Sequence, residues 1–276
     1  MAPVSGTERV GIVVPGVFGR MGRLVALAAR EDERHALVGG TLKHDRPEVG
    51  QDIGTALERG PNGRVIHASL GAALGAELPS RTRGTVVVDF TTPGNGRAHA
   101  EACSAHAAAW VVGTTGLTPD DTLAIEDAAK SVPVLVSANM SVGAHLVAQL
   151  AARAARSLED ADVEVVELHH RRKKDAPSGT ALMMARAVAE ARGQGEVFRT
   201  SRSGEAPRVA GEIGVLAVRG GDVVGEHTVY LFVEGERVEL SHRVSDRGVF
   251  ARGALRAARF LAGARPGLYT MQDVLA

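Results

Sequence analysis

The chain has 276 residues, 45% of them hydrophobic, and its 32 basic and 32 acidic residues cancel to a formal net charge of zero. That balance, with aromatics at only 3%, argues against the positive field and stacking platforms of a nucleic-acid binder. No apolar run approaches the roughly 20 residues of a membrane span, Met1 to Glu8 lacks a signal-peptide apolar core, and the single cysteine, Cys103, leaves no disulfide framework or multi-cysteine metal site. The expectation is a cytoplasmic protein of one large or two smaller domains, with no membrane or nucleic-acid partner and no metal.

Arg9-Val10-Gly11-Ile12-Val13-Val14 is a β-branched apolar run that predicts a strand. Pro15-Gly16-Val17-Phe18-Gly19-Arg20-Met21-Gly22-Arg23 follows, and Leu24 to Arg30 reads as a helix. Strand, glycine turn and helix come in the order of a dinucleotide fold. Gly16 suits the tight turn, Gly19 a close approach to a pyrophosphate, and Gly22 the packing of helix on strand. The helix N–H groups and positive dipole end then face the phosphates. The spacing is G-x-x-G-x-x-G, not the commoner G-x-G-x-x-G. A glycine pattern alone is weak, and its place after the first strand is what strengthens it.

A second strand is predicted at Ala36 to Leu42. Thr85 to Phe90 is mostly apolar, as a parallel strand covered on both faces reads. It enters the turn Thr91-Thr92-Pro93-Gly94-Asn95 and an alanine-rich helix to about Ala109. Trp110 to Val112 is a strand ending in Gly113-Thr114-Thr115-Gly116. Thr118 caps a helix ending near Lys130, and the strand Val132 to Val136 ends in Ser137-Ala138-Asn139-Met140. This rhythm predicts an α/β fold, a Rossmann-type doubly wound parallel sheet. Ligands in such sheets lie beyond the C-terminal strand ends. The turns at 16–21, 91–92, 113–115 and 137–140 therefore line one crevice. Each alone reads as ordinary loop chemistry; four together favour a shared site. His99 and His106, on one helix, read as surface residues, and Cys103 as inert packing.

Val142 to Ser157 reads as a helix, and Val163 to Leu168 as a strand. Between that strand and a helix at Ala181 to Ala191 runs Glu167-Leu168-His169-His170-Arg171-Arg172-Lys173-Lys174-Asp175-Ala176-Pro177-Ser178-Gly179-Thr180. Such a basic run alone reads as a solvated face or a nucleic-acid patch. The zero net charge and the turn and helix-start chemistry of Asp175 to Thr180 count against that. A strand-to-helix loop with two histidines, four cations and helix N–H groups can hold a small carboxylate and protonate it. Gly211 to Arg219, Glu226 to Val233 and Arg237 to Val244 read as strands with tight turns, predicting a mixed or antiparallel sheet. The expected division is 1–141, a dinucleotide-binding domain to which a C-terminal helix in 249–276 returns, and 142–248, a second α+β domain.

Together these stretches resemble the dihydrodipicolinate reductase family, the 4-hydroxy-tetrahydrodipicolinate reductases of bacterial and plant lysine biosynthesis. The glycine turn from Gly16 to Gly22, Asp89-Phe90-Thr91, Gly113 to Gly116 and Asn139 to Gly143 are similar to the family's cofactor turns. Glu167 to Lys173 with Asp175 to Ala181 resembles its signature, and Val218 to His227 its second-domain hairpin. The resemblance implies hydride transfer from NADPH or NADH to a cyclic 4-hydroxy dicarboxylate, with loss of water. By position, His169 matches the family's acid/base histidine and Lys173 its proton donor. His170, Ser178, Gly179 and Thr180 match substrate contacts. Gly16, Val17, Phe18, Gly19, Arg20, Met21, Gly113, Thr114, Thr115, Ser137, Ala138, Asn139 and Met140 match cofactor contacts. A homotetramer through the sheet of the second domain is implied as well.

Two departures stand out. Pro15 and the bulk of Val17-Phe18 are unusual in such a loop. Lys43 stands where members often carry an acidic residue. A lysine there attracts a ribose 2′-phosphate rather than rejecting it; Asp45 as the ribose ligand is the alternative. The rival readings are another two-domain Rossmann dehydrogenase and a non-catalytic nucleotide sensor. No cysteine stands in a turn as a nucleophile, which argues against the aspartate-semialdehyde type of dehydrogenase.

Overall fold

The computed structural model describes residues 8–76 and 82–276, so most of the N-terminal stretch Met1 to Glu8 lies outside the described residues. In chain order the elements are β1 (Arg9–Pro15), α1 (Arg20–Glu31), β2 (His35–Thr41), α2 (Ile53–Ala56), β3 (Ile66–His67), α3 (Leu70–Leu74), β4 (Thr82–Asp89), α4 (Gly96–Ala105), β5 (Ala109–Val112) and α5 (Pro119–Ala128). They continue with β6 (Pro133–Val136), α6 (Val142–Ser157), β7 (Asp162–His169), α7 (Gly179–Ala191), β8 (Phe198–Arg199), β9 (Ile213–Arg219), β10 (Gly225–Val233), β11 (Glu236–Val244), α8 (Gly248–Leu261) and β12 (Gly267–Tyr269). The chain divides into two compact units, Met1–Met140 with Gly248–Ala276, and Ser141–Arg247.

The first unit is a parallel sheet in the order β12-β6-β5-β4-β1-β2-β3. Its central strands β1 and β5 and the second half of β4 are valine-rich and buried on both faces, which is why they read as continuous apolar runs rather than alternating ones. Val13, Val87, Trp110, Val112 and Val134 form one core with residues of α3, α4 and α5. Their neighbours Ile12, Val14, Val86, Val88, Val111 and Leu135 are equally buried on the other side. There α1 and α8 pack together, with α8 also against β4, β5 and β6. The α/β, doubly wound reading of the sequence is therefore what the chain adopts. Thr118 and Asp121 close a full capping box on α5, with Pro119 in its first turn.

Some boundaries differ from the sequence reading. Helix α1 starts at Arg20 rather than Leu24, because the chain turns helical directly after Gly19. Helix α4 stops at Ala105, not near Ala109. Ala107 takes a left-handed φ of 49°, and Ala108 and Ala109 are drawn into the buried entry to β5. Burial decides over the helix propensity of alanine here. The short elements α2, β3, α3, β8 and β12, of two to five residues, are too brief to show a period.

The second unit is a mixed sheet in the order β11-β10-β7-β9-β8, antiparallel at β11-β10-β7 and parallel at β7-β9-β8. Helices α6 and α7, capped by Ser141 and Ser178, cover one face through a core of alanines, valines and Met184. The other face leaves Val218 48% and Phe232 38% exposed, with Tyr230 stacked on Phe232 at 5.7 Å.

Candidate functional site

In the first unit the turns leave the C-terminal ends of β1, β4, β5 and β6. Strand β1 is followed through α1 by β2 on one side, while β4 lies on its other side, so the chain reverses between β1 and β4. That switch point is where open α/β sheets bind nucleotides. Gly16 has φ 63°, and a β-carbon on it would lie 3.4 Å from Thr91 Cγ2 of the turn after β4. A β-carbon on Gly22 would meet the Gly16 carbonyl oxygen at 2.3 Å, and one on Gly19 would meet it at 3.0 Å. The glycines therefore keep the turn folded onto the first helical turn. No side chain caps α1, so its leading N–H groups are offered outward. This cradle fits a dinucleotide pyrophosphate.

Val17 is fully buried and its N–H donates to Thr41 O at 3.1 Å, so it belongs to the core; Phe18 is half-buried and Arg20 exposed. The bulk of Val17 thus points inward rather than into the nucleotide loop. Thr114 Oγ1 donates to Thr91 O at 3.2 Å, which ties two of the turns together. Gly113 lies against the Phe90 ring, at 2.3 Å from where its β-carbon would be. Ser137 Oγ donates to Asn139 O at 2.6 Å. Met140 is buried, with its carbonyl under Gly253 of α8, while Ala138 and Thr115 are exposed. Lys43 is exposed beyond the end of β2, beside an Arg46–Glu48 ion pair at 2.8 Å.

His99 corrects the sequence reading. Its side chain is 13% exposed, and its Nδ1 lies 2.7 Å from the buried Asp89 carboxylate, which also accepts from the Thr91 N–H and hydroxyl. Burial pushes the Asp89 carboxyl up, but the bonds from His99 and Thr91 outweigh it and hold it below its ordinary value. His99 therefore helps hold the turn after β4. His106 is exposed, as read. Cys103 is fully buried, and burial pushes its thiol far up, so it is inert packing.

In the second unit the site begins at the end of β7. Inward residues alternate along that strand, so Glu167 and His169 share a face. Glu167, with a fully buried side chain, is the hub. Its Oε2 lies 2.5 Å from His169 Nδ1 and accepts from Arg219 Nη1 at 2.8 Å. Its Oε1 accepts from Arg219 Nη2 at 2.8 Å and from the Ser178 N–H at 3.0 Å. Arg219 is the register partner of His169 across the parallel β7–β9 ladder. Burial pushes the Glu167 carboxyl up, but Arg219 and His169 outweigh it and hold it ionised below its ordinary value. The imidazole of His169 is held down by burial; Glu167 pulls it up, while Lys173 and Arg219 push it down.

Lys173 Nζ donates to both Asp175 oxygens at 2.8 Å, and Arg219 donates to the Asp175 carbonyl at 2.7 Å. Of the four consecutive cations, only Lys173 is partly buried. His170 is half-buried with an unpartnered Nδ1. Gly179 and Thr180 open α7, where helix N–H groups and the dipole favour an anion. Ser178, read as a substrate contact, also holds the turn together. Its Oγ accepts from the Ala181 N–H at 3.2 Å and pairs with His227 Nε2 at 3.1 Å, and its own N–H is held by Glu167. It organises the turn that presents Gly179 and Thr180.

The basic-loop reading thus brings His169, Lys173 and the start of α7 together but misses their supports. Arg219, His227 and His242 come from other strands, and only a register could have placed them. The His169 and His227 rings meet edge-on at 5.1 Å. Glu167 was legible in principle, two residues before His169 on an alternating strand.

Comparison with known proteins places the whole chain in one family. The model of the dihydrodipicolinate reductase N-terminus matches residues 10–140, and that of its C-terminus matches residues 143–275. A 4-hydroxy-tetrahydrodipicolinate reductase of Myxococcus xanthus is 48% identical over 266 residues, covering 95% of this chain and 96% of that protein. One from Rubrobacter xylanophilus is 46% identical over 269 residues, covering 96% and 98%. Among solved structures, a dipicolinate-bound dihydrodipicolinate reductase from Paenisporosarcina has a TM-score of 0.76 at 23% identity, covering 97% of this chain and all of that one, which speaks for the fold. By the two matched models and these relatives, the chain belongs to the dihydrodipicolinate reductase family.

Proposed function

We propose that His169 and Lys173 manage the protons of the family's reaction in this chain, and that the start of α7 holds the substrate. The chain is an NAD(P)H-dependent reductase of lysine and diaminopimelate biosynthesis, acting on 4-hydroxy-tetrahydrodipicolinate. The glycine turn and the first N–H groups of α1 would hold a reduced nicotinamide cofactor, which would supply the hydride for a reaction that replaces the substrate's 4-hydroxyl group by hydrogen. The hydroxyl leaves as hydroxide and needs one proton to depart as water, so one proton is consumed per turnover.

The chain's own residues divide that work. His169 Nδ1 is committed to Glu167, which leaves Nε2 as the atom that exchanges protons. With its imidazole held down, His169 takes a proton from the ring carbon beside the leaving hydroxyl and later returns it. Lys173 gives the proton that leaves in water, and Asp175 keeps its amine in place. The substrate's carboxylates meet His170, Lys173 and the first N–H groups of α7 at Gly179 and Thr180.

The observation that carries this reading is the buried Glu167–His169 pair at the mouth of a helix N-terminus beside a half-buried lysine. The test is transfer of label. Nicotinamide carrying deuterium at the transferred position should give product with deuterium at the former hydroxyl carbon. Oxidation of the cofactor without label in that product would refute it.

The same reading extends to assembly and location. The open face of the second sheet, with Val218, Tyr230 and Phe232, is the surface proposed to bury itself in a homotetramer. Phe232→Asp should lower the mass seen in light scattering. No helix among the described residues is long and apolar enough to cross a membrane, and the proposed location is the cytoplasm.

A further inference from the structure

Glu167 is a carboxylate with no exposed side-chain surface, and a lone charge so placed is costly. Four hydrogen bonds from three residues explain how it persists there. Arg219 makes a two-pronged bond and cancels its charge. The Ser178 N–H takes a further lone pair, and His169 Nδ1 takes the last. Arg219 reaches on to the Asp175 carbonyl, so the same guanidinium also anchors the loop that carries Lys173.

A carboxylate at 2.5 Å from an imidazole does two separable things. It fixes the ring, with the Nδ1 proton turned inward. It also stabilises the imidazolium, which would fill Nε2 with a proton near neutral pH. A guanidinium bonded to the same carboxylate cancels the second effect and leaves the first. We propose that Glu167 and Arg219 act as one positioning unit for His169, in which the carboxylate fixes the ring with Nε2 outward and the guanidinium keeps Nε2 free to accept a proton. This rests on the reading of His169 as the proton-exchanging group.

The other charged and titratable groups around His169 are few. Lys173 and Asp175 face it from the loop as an ion pair. His227 faces it from β10, and burial, followed by the His169 charge, pushes that imidazole down to about 3. His242 lies behind His227 on β11, 6.3 Å between rings, and burial lowers it too. Both stay neutral near pH 7, so the balance at His169 is set by Glu167, Arg219 and the Lys173–Asp175 pair.

The test compares wild type, Glu167→Gln, Arg219→Met, Arg219→Lys and His169→Asn. The readouts are the pH profile of kcat/KM, the split between kcat and KM, and cofactor affinity by fluorescence. Arg219→Met leaves the carboxylate unbalanced, so the acid limb of the profile should move to higher pH. Glu167→Gln leaves the guanidinium unbalanced, so the limb should move to lower pH, and kcat should fall about 10- to 100-fold with KM nearly constant. Arg219→Lys, which keeps the charge, should return the limb close to its wild-type position. Cofactor affinity should not change in any of them. Nitrogen-15 spectra of the wild type, with the His169 signals assigned by their loss in His169→Asn, should show Nδ1 protonated and Nε2 bare at neutral pH. That measurement decides the matter even if a variant fails to fold. An Nε2-protonated ring, or an unmoved acid limb in both charge variants, overturns the proposal. If His169→Asn turns over like wild type, the underlying role of His169 fails instead.

Discussion

A β-carbon placed on Gly225 would lie 3.0 Å from His169 Nε2. Gly225 opens β10, and its missing side chain leaves room beside the nitrogen proposed to exchange protons. His169 cannot swing aside cheaply, because its other nitrogen is bound to Glu167 at 2.5 Å. Gly225→Ala should therefore lower kcat by at least about 10-fold, the lower end for disturbing a positioned proton-transfer group. Circular dichroism and cofactor affinity should match wild type. Unchanged kcat in a folded Gly225→Ala protein would show that Nε2 does not need this space.

Thr180 stands at the start of α7, beside the turn organised by Ser178. Thr180→Val keeps its shape and removes the hydroxyl. The apparent substrate KM should rise by the equivalent of roughly 1.5–3 kcal/mol, the range for a hydrogen bond to a charged group. Inhibition by pyridine-2,6-dicarboxylate should weaken in parallel. Equal inhibition of wild type and variant would place the carboxylate anchor elsewhere.

Lys43 is exposed just past β2, and its neighbour Arg46 is already paired with Glu48 at 2.8 Å. A cation in that place favours a ribose 2′-phosphate. NADPH should serve at least as well as NADH, and Lys43→Glu should shift preference toward NADH. Side-by-side kcat/KM values settle this. A wild-type preference for NADH above ~10-fold, about 1.4 kcal/mol, would mean that Lys43 does not read the phosphate and would favour Asp45 as the ribose ligand.

His227 links protonation to stability. Burial, then the His169 charge, holds its imidazole at about 3 in the folded protein, while an unfolded chain titrates near about 6.5. Between those values the unfolded chain takes up a proton that the folded protein refuses. The stability from a neutral His227 is thus complete above the unfolded value and is lost as pH falls toward 3. In His227→Gln the difference in stability between pH 7 and pH 5, from urea unfolding, should shrink relative to wild type. An identical difference in both proteins would show that this group does not drive acid sensitivity.

The sequence made the outline readable because most of the signals are local. The strand-turn-helix around Gly16, the buried run ending at Asp89 and the capping pair Thr118–Asp121 all depend on neighbours in the chain. The loop from His169 to Thr180 was visible for the same reason. What was not legible depends on partners far along the chain. Arg219 meets Glu167 only through the β7–β9 register, 52 residues away. His99 looked like a surface histidine because its partner Asp89 sits at the end of another element. The bonds that tie Ser178 to Glu167 and His227 were hidden for the same reason.

The central claim is that His169 and Lys173 carry the protons while the glycine turn independently holds the cofactor. The most direct measurement is steady-state turnover of 4-hydroxy-tetrahydrodipicolinate by wild type, His169→Ala and Lys173→Ala, with NADPH affinity measured on the same samples. Each variant should lose ~100-fold or more in turnover, the usual scale for removing a positioned proton donor or acceptor, while NADPH affinity stays within about 2-fold. Wild-type turnover in both variants would contradict the account.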